Sequence, residues 1–201
     1  MIRAATWFTP HHHGVYAPGG ESWQMPMPAD MPSLIGRPVR NFQRLTGEAW
    51  FCLSAASLAM KAAELEKREI GLLFAGSKGG LLANRNYFRD YVENGRTLGR
   101  GNLFIYTLPT SVSGEVAIAL ALTGPCLFIQ NDSRPLPSLI EHAEQMLADG
   151  EADAMLLFWS DPIAAVCLAI EKGDDARKFP IGLDLNPLDL CQQLQQLVRG
   201  A

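Results

Sequence analysis

Apolar positions along the chain fall into short continuous runs separated by stretches of helical period. From Thr46 onward Phe51, Leu58, Ala62 and Leu65 recur at helical spacing among Ala, Leu, Lys and Glu, which predicts a helix over about 47–67. Ile70 to Ala75 is a short apolar run that suits a buried strand. The turn GSKGG follows at 76–80, and a helix over about 81–94 carries Tyr87, Phe88, Tyr91 and Val92 and stops at Gly95. Leu103 to Leu108 reads as a strand. Ser111 and Ser113 offer caps to an Ala-rich helix over about 112–122, which ends before Gly124-Pro125. Cys126 to Ile129 is another strand. Ser138 to Glu141 forms a capping box at the head of a helix that Gly150 ends. Ala154 to Trp159 and Ile163 to Ile170 are strands whose Ser160-Asp161-Pro162 link suits a hairpin. Asn186-Pro187 opens a last helix running to about Val198. This alternation predicts an α/β layered domain with a mixed five-stranded sheet and helices on its faces.

Residues 1–33 break the pattern. Met1 to Thr6 can begin a strand, but the prolines and glycines that follow carry no sustained period, so a loop or arm is expected. Trp7, Tyr16, Trp23 and the methionines Met25, Met27 and Met31 make it too apolar for a solvated linker. The division expected is an irregular strand and packing arm over 1–33 and a domain over 34–201.

Composition narrows the partners. The 201 residues are 48% hydrophobic and 19% charged, enough apolar content to bury a core. The net charge of −4 argues against a general nucleic-acid footprint. No apolar run reaches the ~18 residues of a membrane span, and no signal peptide is expected from the first residues, so a cytoplasmic protein is expected. Cys52, Cys126, Cys167 and Cys191 form no CxxC pair and read as small core residues in a reducing compartment.

The segment NLFIYTLPTSVSGEVAIALALTGP (102–125) resembles the β-ketoacyl-acyl carrier protein synthase family, of thiolase-like fold. Three further pieces resemble it in the same order: the basic-then-alanine-rich segment at 37–65, IGLLFAGSKGGL at 70–81 and GEADAMLLFWSDP at 150–162. The resemblance implies the N-terminal half of a thiolase-like fold. It also implies that the nucleophilic Cys of the family falls at Ser133, counting along GPCLFIQNDS. Cys126 lies seven residues earlier, inside the predicted strand, and cannot replace it. The family's catalytic histidines and lysine belong to the second half of the fold. The implied function is a non-catalytic accessory subunit of type II fatty-acid or polyketide biosynthesis, of aryl polyene type. Its implied partners are a full ketosynthase, a second copy of itself or an acyl carrier protein.

The residues themselves offer few catalytic constellations. A serine nucleophile needs an adjacent base, and His142 lies about 13 Å along the same helix at ~1.5 Å per residue. An acyltransferase, thioesterase or decarboxylase using Ser133 is the alternative to the non-catalytic reading. The helix start beside Ser133 can instead hold an anion such as a phosphopantetheine phosphate. GSKGG lacks the spacing of a phosphate-binding loop and reads as a turn, with Lys78 near any anionic ligand. His11, His12 and His13 beside the methionines complete no zinc set, so no metal and no cofactor are expected. Arg37, Arg40 and Arg44 form either a patch for an acidic carrier protein or a solvated turn pairing with acids such as Glu48. Trp50 and Trp159 read as core. The apolar positions Ala117, Ala119, Ala121 and Leu122, with Leu139, Ala143 and Met146, are expected to wait for a partner, so the chain is expected not to be monomeric.

Overall fold

The computed structural model describes residues 1–200 apart from 29, 31, 37, 40–44, 66–68, 77–79, 98, 131–133, 174–178, 181 and 183. Its strands are β1 (Ile2–Phe8), β2 (His12–Tyr16), β3 (Trp23–Pro26), β4 (Ile70–Gly76), β5 (Cys126–Phe128), β6 (Ala154–Asp161) and β7 (Ala164–Glu171). Its helices are α1 (Pro32–Ile35), α2 (Gly47–Ala62), α3 (Leu81–Glu93), α4 (Gly101–Ile105), α5 (Ser111–Leu120), α6 (Pro135–Asp149) and α7 (Pro187–Gly200).

β6 and β7 lie in the interior of the sheet, and both are apolar from end to end because both faces are covered. They form the expected hairpin. Asp161 Oδ1 accepts from the N–H groups of Ile163 and Ala164, each at 2.8 Å, and so fixes the turn. The sheet order is β3-β2-β1-β7-β6-β4-β5. β4 pairs in parallel with β5 and β6, and the remaining pairs are antiparallel. Among the described residues the sheet therefore has seven strands rather than five. Residues 1–33, expected as a strand and an arm, supply three of them: β1 is the strand expected at the start, the arm forms β2 and β3, and β1 sits between β2 and β7.

Alternation along the strands sorts the core into two layers. Phe8, Leu72, Phe74, Leu156, Phe158 and Cys167 face α2 and α5. Trp7, Leu73, Met155, Leu157, Val166 and Leu168 face α6 and α7. Each fully buried Leu, Phe or Val contributes on the order of 1.5–3 kcal/mol before chain entropy is counted. Alanines at 49, 55, 56 and 59 line the buried side of α2 and let it lie close to the sheet, where the Thr6 hydroxyl donates to Ala55 O at 2.8 Å.

Several local expectations change. Residues 103–108 do not form a strand. They form most of α4 and the turn after it, and Phe104, Ile105 and Leu108 are exposed. α2 ends at Ala62, short of the expected 67, and Glu64 then takes a left-handed conformation at φ 54°. Ser111 and Ser113 do not cap α5. Their hydroxyls donate back to Ile105 O and Thr110 O. α6 starts at Pro135, so Ser138 lies within the helix. Pro135 and Pro137 leave two fewer first-turn N–H groups for any cap to satisfy. Gly124 is required where β5 begins, because a Cβ there would lie 2.7 Å from Gly71 N and Ile70 C. Among the described residues no helix is long and apolar enough to cross a membrane.

Candidate functional site

Open α/β sheets place ligands beyond the carboxyl ends of their parallel strands. At that end of β4 and β6 lies a cavity of about 240 Å³. Phe74 of β4, the α2 entrance at Thr46, Gly47 and Glu48, and Pro162 of the hairpin form one wall. The opposite wall comes from residues 80–86 and 106–112, including Leu82, Asn86, Tyr106 and Leu108.

Each polar group here has a local cause. Thr46 caps α2, its hydroxyl accepting from Ala49 N at 3.2 Å, which aims the first turn at the cavity. Glu48 stands in that first turn. Fully buried Ser160, at the end of β6, donates to Glu48 Oε1 at 2.6 Å. Burial pushes the Glu48 carboxyl above the usual carboxylate range, the Ser160 hydrogen bond pulls it down, and the Asp161 charge adds to the upward push. One turn along α2, Cys52 is fully buried. Burial drives its thiol well up, and so does the Glu48 charge, although Ser160 also bonds to it. Cys167 and Cys191 are likewise pushed up, first by burial. These three are inert core thiols. Cys126 departs from the expectation, being exposed on β5. The Tyr106 hydroxyl donates to Glu115 Oε1 at 3.5 Å and its pKa is pushed up to about 12, first by burial and then by Glu115.

The far wall of the cavity is an excursion that closes on itself. Asn84 Nδ2 donates to Gly80 O at 2.9 Å and to Thr107 O at 2.8 Å, tying its two ends together. Gly80 is needed there because a Cβ would run into the Thr107 carbonyl. No side chain of α3 or α4 is buried. Their apolar residues, Leu81, Leu82, Phe88, Val92, Phe104 and Ile105, are exposed.

The residues singled out from sequence mostly lie elsewhere. Ser133, Lys78, Arg37, Arg40, Arg44 and Met31 lie outside the described residues. His142 points its Nδ1–H at Ser138 O, 2.7 Å away, on the outer side of α6. The anion cradle expected at the α6 start lacks the amides of Pro135 and Pro137, and Ser138 N already donates to Arg134 O. His13 is buried, stacked on Phe8 at 5.2 Å and edge-on to Trp23 at 5.5 Å. Burial lowers its pKa. Met25 is exposed. The apolar side chains expected to wait for a partner on α6 are covered instead: Leu139 and Ala143 are buried against the sheet, and the outward positions Glu141, His142 and Gln145 are polar. On α5 only part of that surface is open, with Ile118 the most exposed. Sequence reasoning named Glu48 only as an acid for the nearby arginines and Ser160 only as part of the hairpin link, and did not bring the two together. The available signal was a carboxylate one turn before Cys52, on the apolar side of α2.

No family model matches the sequence, and no curated protein is significantly similar to it. Solved structures are similar in fold. A chain of a ketosynthase in complex with its chain length factor, from Xenorhabdus doucetiae, superposes with a TM-score of 0.63 at 12% identity. The match covers 100% of this chain and 92% of that one. The ishigamide ketosynthase/chain length factor gives 0.61 at 15% identity, over 88% of this chain and 63% of that one. A β-ketoacyl synthase from Burkholderia phymatum STM815 gives 0.56 at 13%, over 87% and 60%. The chain thus shares a mixed α/β fold with these ketosynthase structures. It spans about three-fifths of the latter two chains and nearly all of the first.

Proposed function

We propose that this protein is a ketosynthase-like accessory subunit of fatty-acid or polyketide biosynthesis, of aryl polyene type. It carries no condensing activity of its own and associates with a full ketosynthase. The observation that carries this reading is an unpartnered apolar surface beside an open sheet edge. Among the described residues β5 pairs only with β4, and Cys126 and Leu127 are exposed on it. Ile118 adds an exposed apolar side chain on α5, which packs on β5, and Leu81, Phe88 and Phe104 are exposed on α3 and α4. An uncovered edge strand is a template for another chain, and exposed apolar surface of this kind marks an interface. The similarity to chains from two ketosynthase/chain length factor structures, one matched almost end to end, supports the same reading.

Co-expression with a full ketosynthase, followed by light scattering, tests the association. The expected result is a heteromer that Leu127→Lys dissociates without lowering the thermal midpoint of the isolated chain. A monomer that ignores the synthase and a second copy of itself overturns the proposal. Incubation with acyl carrier protein and intact-mass analysis tests the other half. Acylation that Ser133→Ala abolishes would replace the non-catalytic reading with acyl transfer.

A further inference from the structure

The β2–β3 hairpin lies at the opposite end of the sheet from β5, so what it carries is independent of the association proposed above. His13 of β2 stands directly opposite Met25 of β3. The pairing continues past β3, where Met27 N donates to His11 O at 2.9 Å. Residues two apart on an extended chain share a face, so Met25 and Met27 project to the side that His13 occupies. Phe8 and Trp23 lie on that side too, each in ring contact with His13, and Met27 packs against the same layer. Opposed residues hold their Cβ atoms about 4.5–5.5 Å apart, and the two methionines are about 7 Å apart at ~3.4 Å per residue. One imidazole and two flexible thioethers thus share one small patch. We propose that His13, Met25 and Met27 bind one cuprous ion, with the Trp23 ring beside it.

The imidazole is set up as a ligand. His13 is 2% exposed, and its ring is fixed by stacking on Phe8 and by the edge-on Trp23. The Pro26 carbonyl accepts a hydrogen bond from the ring, while Nδ1 is buried with no hydrogen-bond partner. A buried polar atom left unpaired costs free energy, and a metal ion supplies the missing partner. A carbonyl that orients the ring is the usual companion of a metal-ligating imidazole. The donor set selects the ion. Thioether sulfur favours Cu(I), whereas calcium and magnesium take oxygen ligands and zinc takes thiolate, imidazole or carboxylate. Among the described residues no three His, Cys, Asp or Glu side chains gather to offer such a set. Met25 is 53% exposed, so the patch opens to solvent on that side. An indole face beside the ion adds cation–π attraction.

Anaerobic titration of the full chain against the coloured cuprous bicinchoninate complex tests the proposal, with Cys126→Ser introduced so that the exposed thiol does not compete. One cuprous ion per chain is expected to pass to the protein. Ag(I) is expected to displace it, and Zn(II) to leave it in place. Met25→Leu, at an exposed position, is expected to weaken binding at least tenfold with the thermal midpoint unchanged, and adding Met27→Leu to abolish it. His12→Ala, on the opposite face of β2, is expected to change affinity by less than threefold. Copper X-ray absorption of the loaded chain is expected to show both sulfur and nitrogen neighbours. No transfer of copper from the chelator overturns the proposal. So does wild-type affinity in the double methionine variant, which would place the ion elsewhere, or a copper environment without sulfur, or displacement by Zn(II) as effective as by Ag(I).

Discussion

Ser160→Ala is the sharpest test of the polar arrangement at the cavity. The substitution removes one oxygen from a fully buried position and changes almost nothing in volume. It deletes the donor that reaches Glu48 Oε1 at 2.6 Å and a bond to Cys52. Leaving a buried acceptor unsatisfied costs about 1–3 kcal/mol. At about 2 kcal/mol the thermal midpoint of a chain this size falls by roughly 4–8 °C. The sign of the pH dependence follows from Glu48. Its folded pKa is raised, so the folded state holds the proton more tightly than the unfolded chain, whose carboxyl titrates near 4.3. The contribution of Glu48 to stability is therefore most favourable below the unfolded pKa, declines as pH rises through the folded pKa, and is level above it. Ser160 opposes the upward push, so its loss raises the folded pKa further and widens that window. The measured cost of Ser160→Ala should be larger at pH 8 than at pH 4, and urea melts at both values read it directly. In a Glu48→Gln background the pH-dependent part should vanish. Equal costs at pH 4 and pH 8, or a cost below about 0.5 kcal/mol at pH 8, refute the coupling between Ser160 and Glu48.

Two further outcomes are expected. A thiol reagent applied to the folded protein should label Cys126 alone, while the unfolded chain takes up four labels, as counted by intact mass. Asn186→Ala removes the oxygen that accepts from Asp189 N at 2.9 Å at the head of α7, and a urea melt should show a loss of about 1 kcal/mol with no change in association.

The parts of this fold readable from sequence are those where one cause dominates. β6 and β7 are buried on both faces, so their runs are apolar throughout and the Asp161-Pro162 turn between them stands out. Asn186-Pro187 specifies a helix start by local chemistry alone, and α7 obeys it. Where causes compete the reading fails. LFIYTL has the apolar content of a strand, and a short apolar run carries no period to separate it from a helix. Here it lies outside the sheet, with Phe104 against Tyr87 at 5.6 Å. β2 shows no alternation because its middle residue, Gly14, must leave room for the Trp7 ring of the neighbouring strand. That constraint exists only once the strands pair. The cavity was invisible for the same reason. Glu48 and Ser160 are 112 residues apart, and neither belongs to a motif. The resemblance directed attention to the turn after β5, whereas the polar groups that meet lie at the ends of β6 and α2.

The position of β1 has a bearing on how the protein is made. This strand is synthesised before the other strands of the sheet, yet it docks on the last of them in sequence, β7. The Met1 amino group finally donates to Glu171 O at 2.6 Å, across 170 residues of sequence. At 5–20 residues per second the wait is about 9–34 s. Throughout it the nascent β1 strand, which carries the finally buried Trp7 and Phe8, lacks its β7 neighbour. Synthesis thus has a vulnerable interval that belongs to topology rather than to final stability. Slowing elongation over residues 27–163 should lower soluble yield without altering the protein that survives.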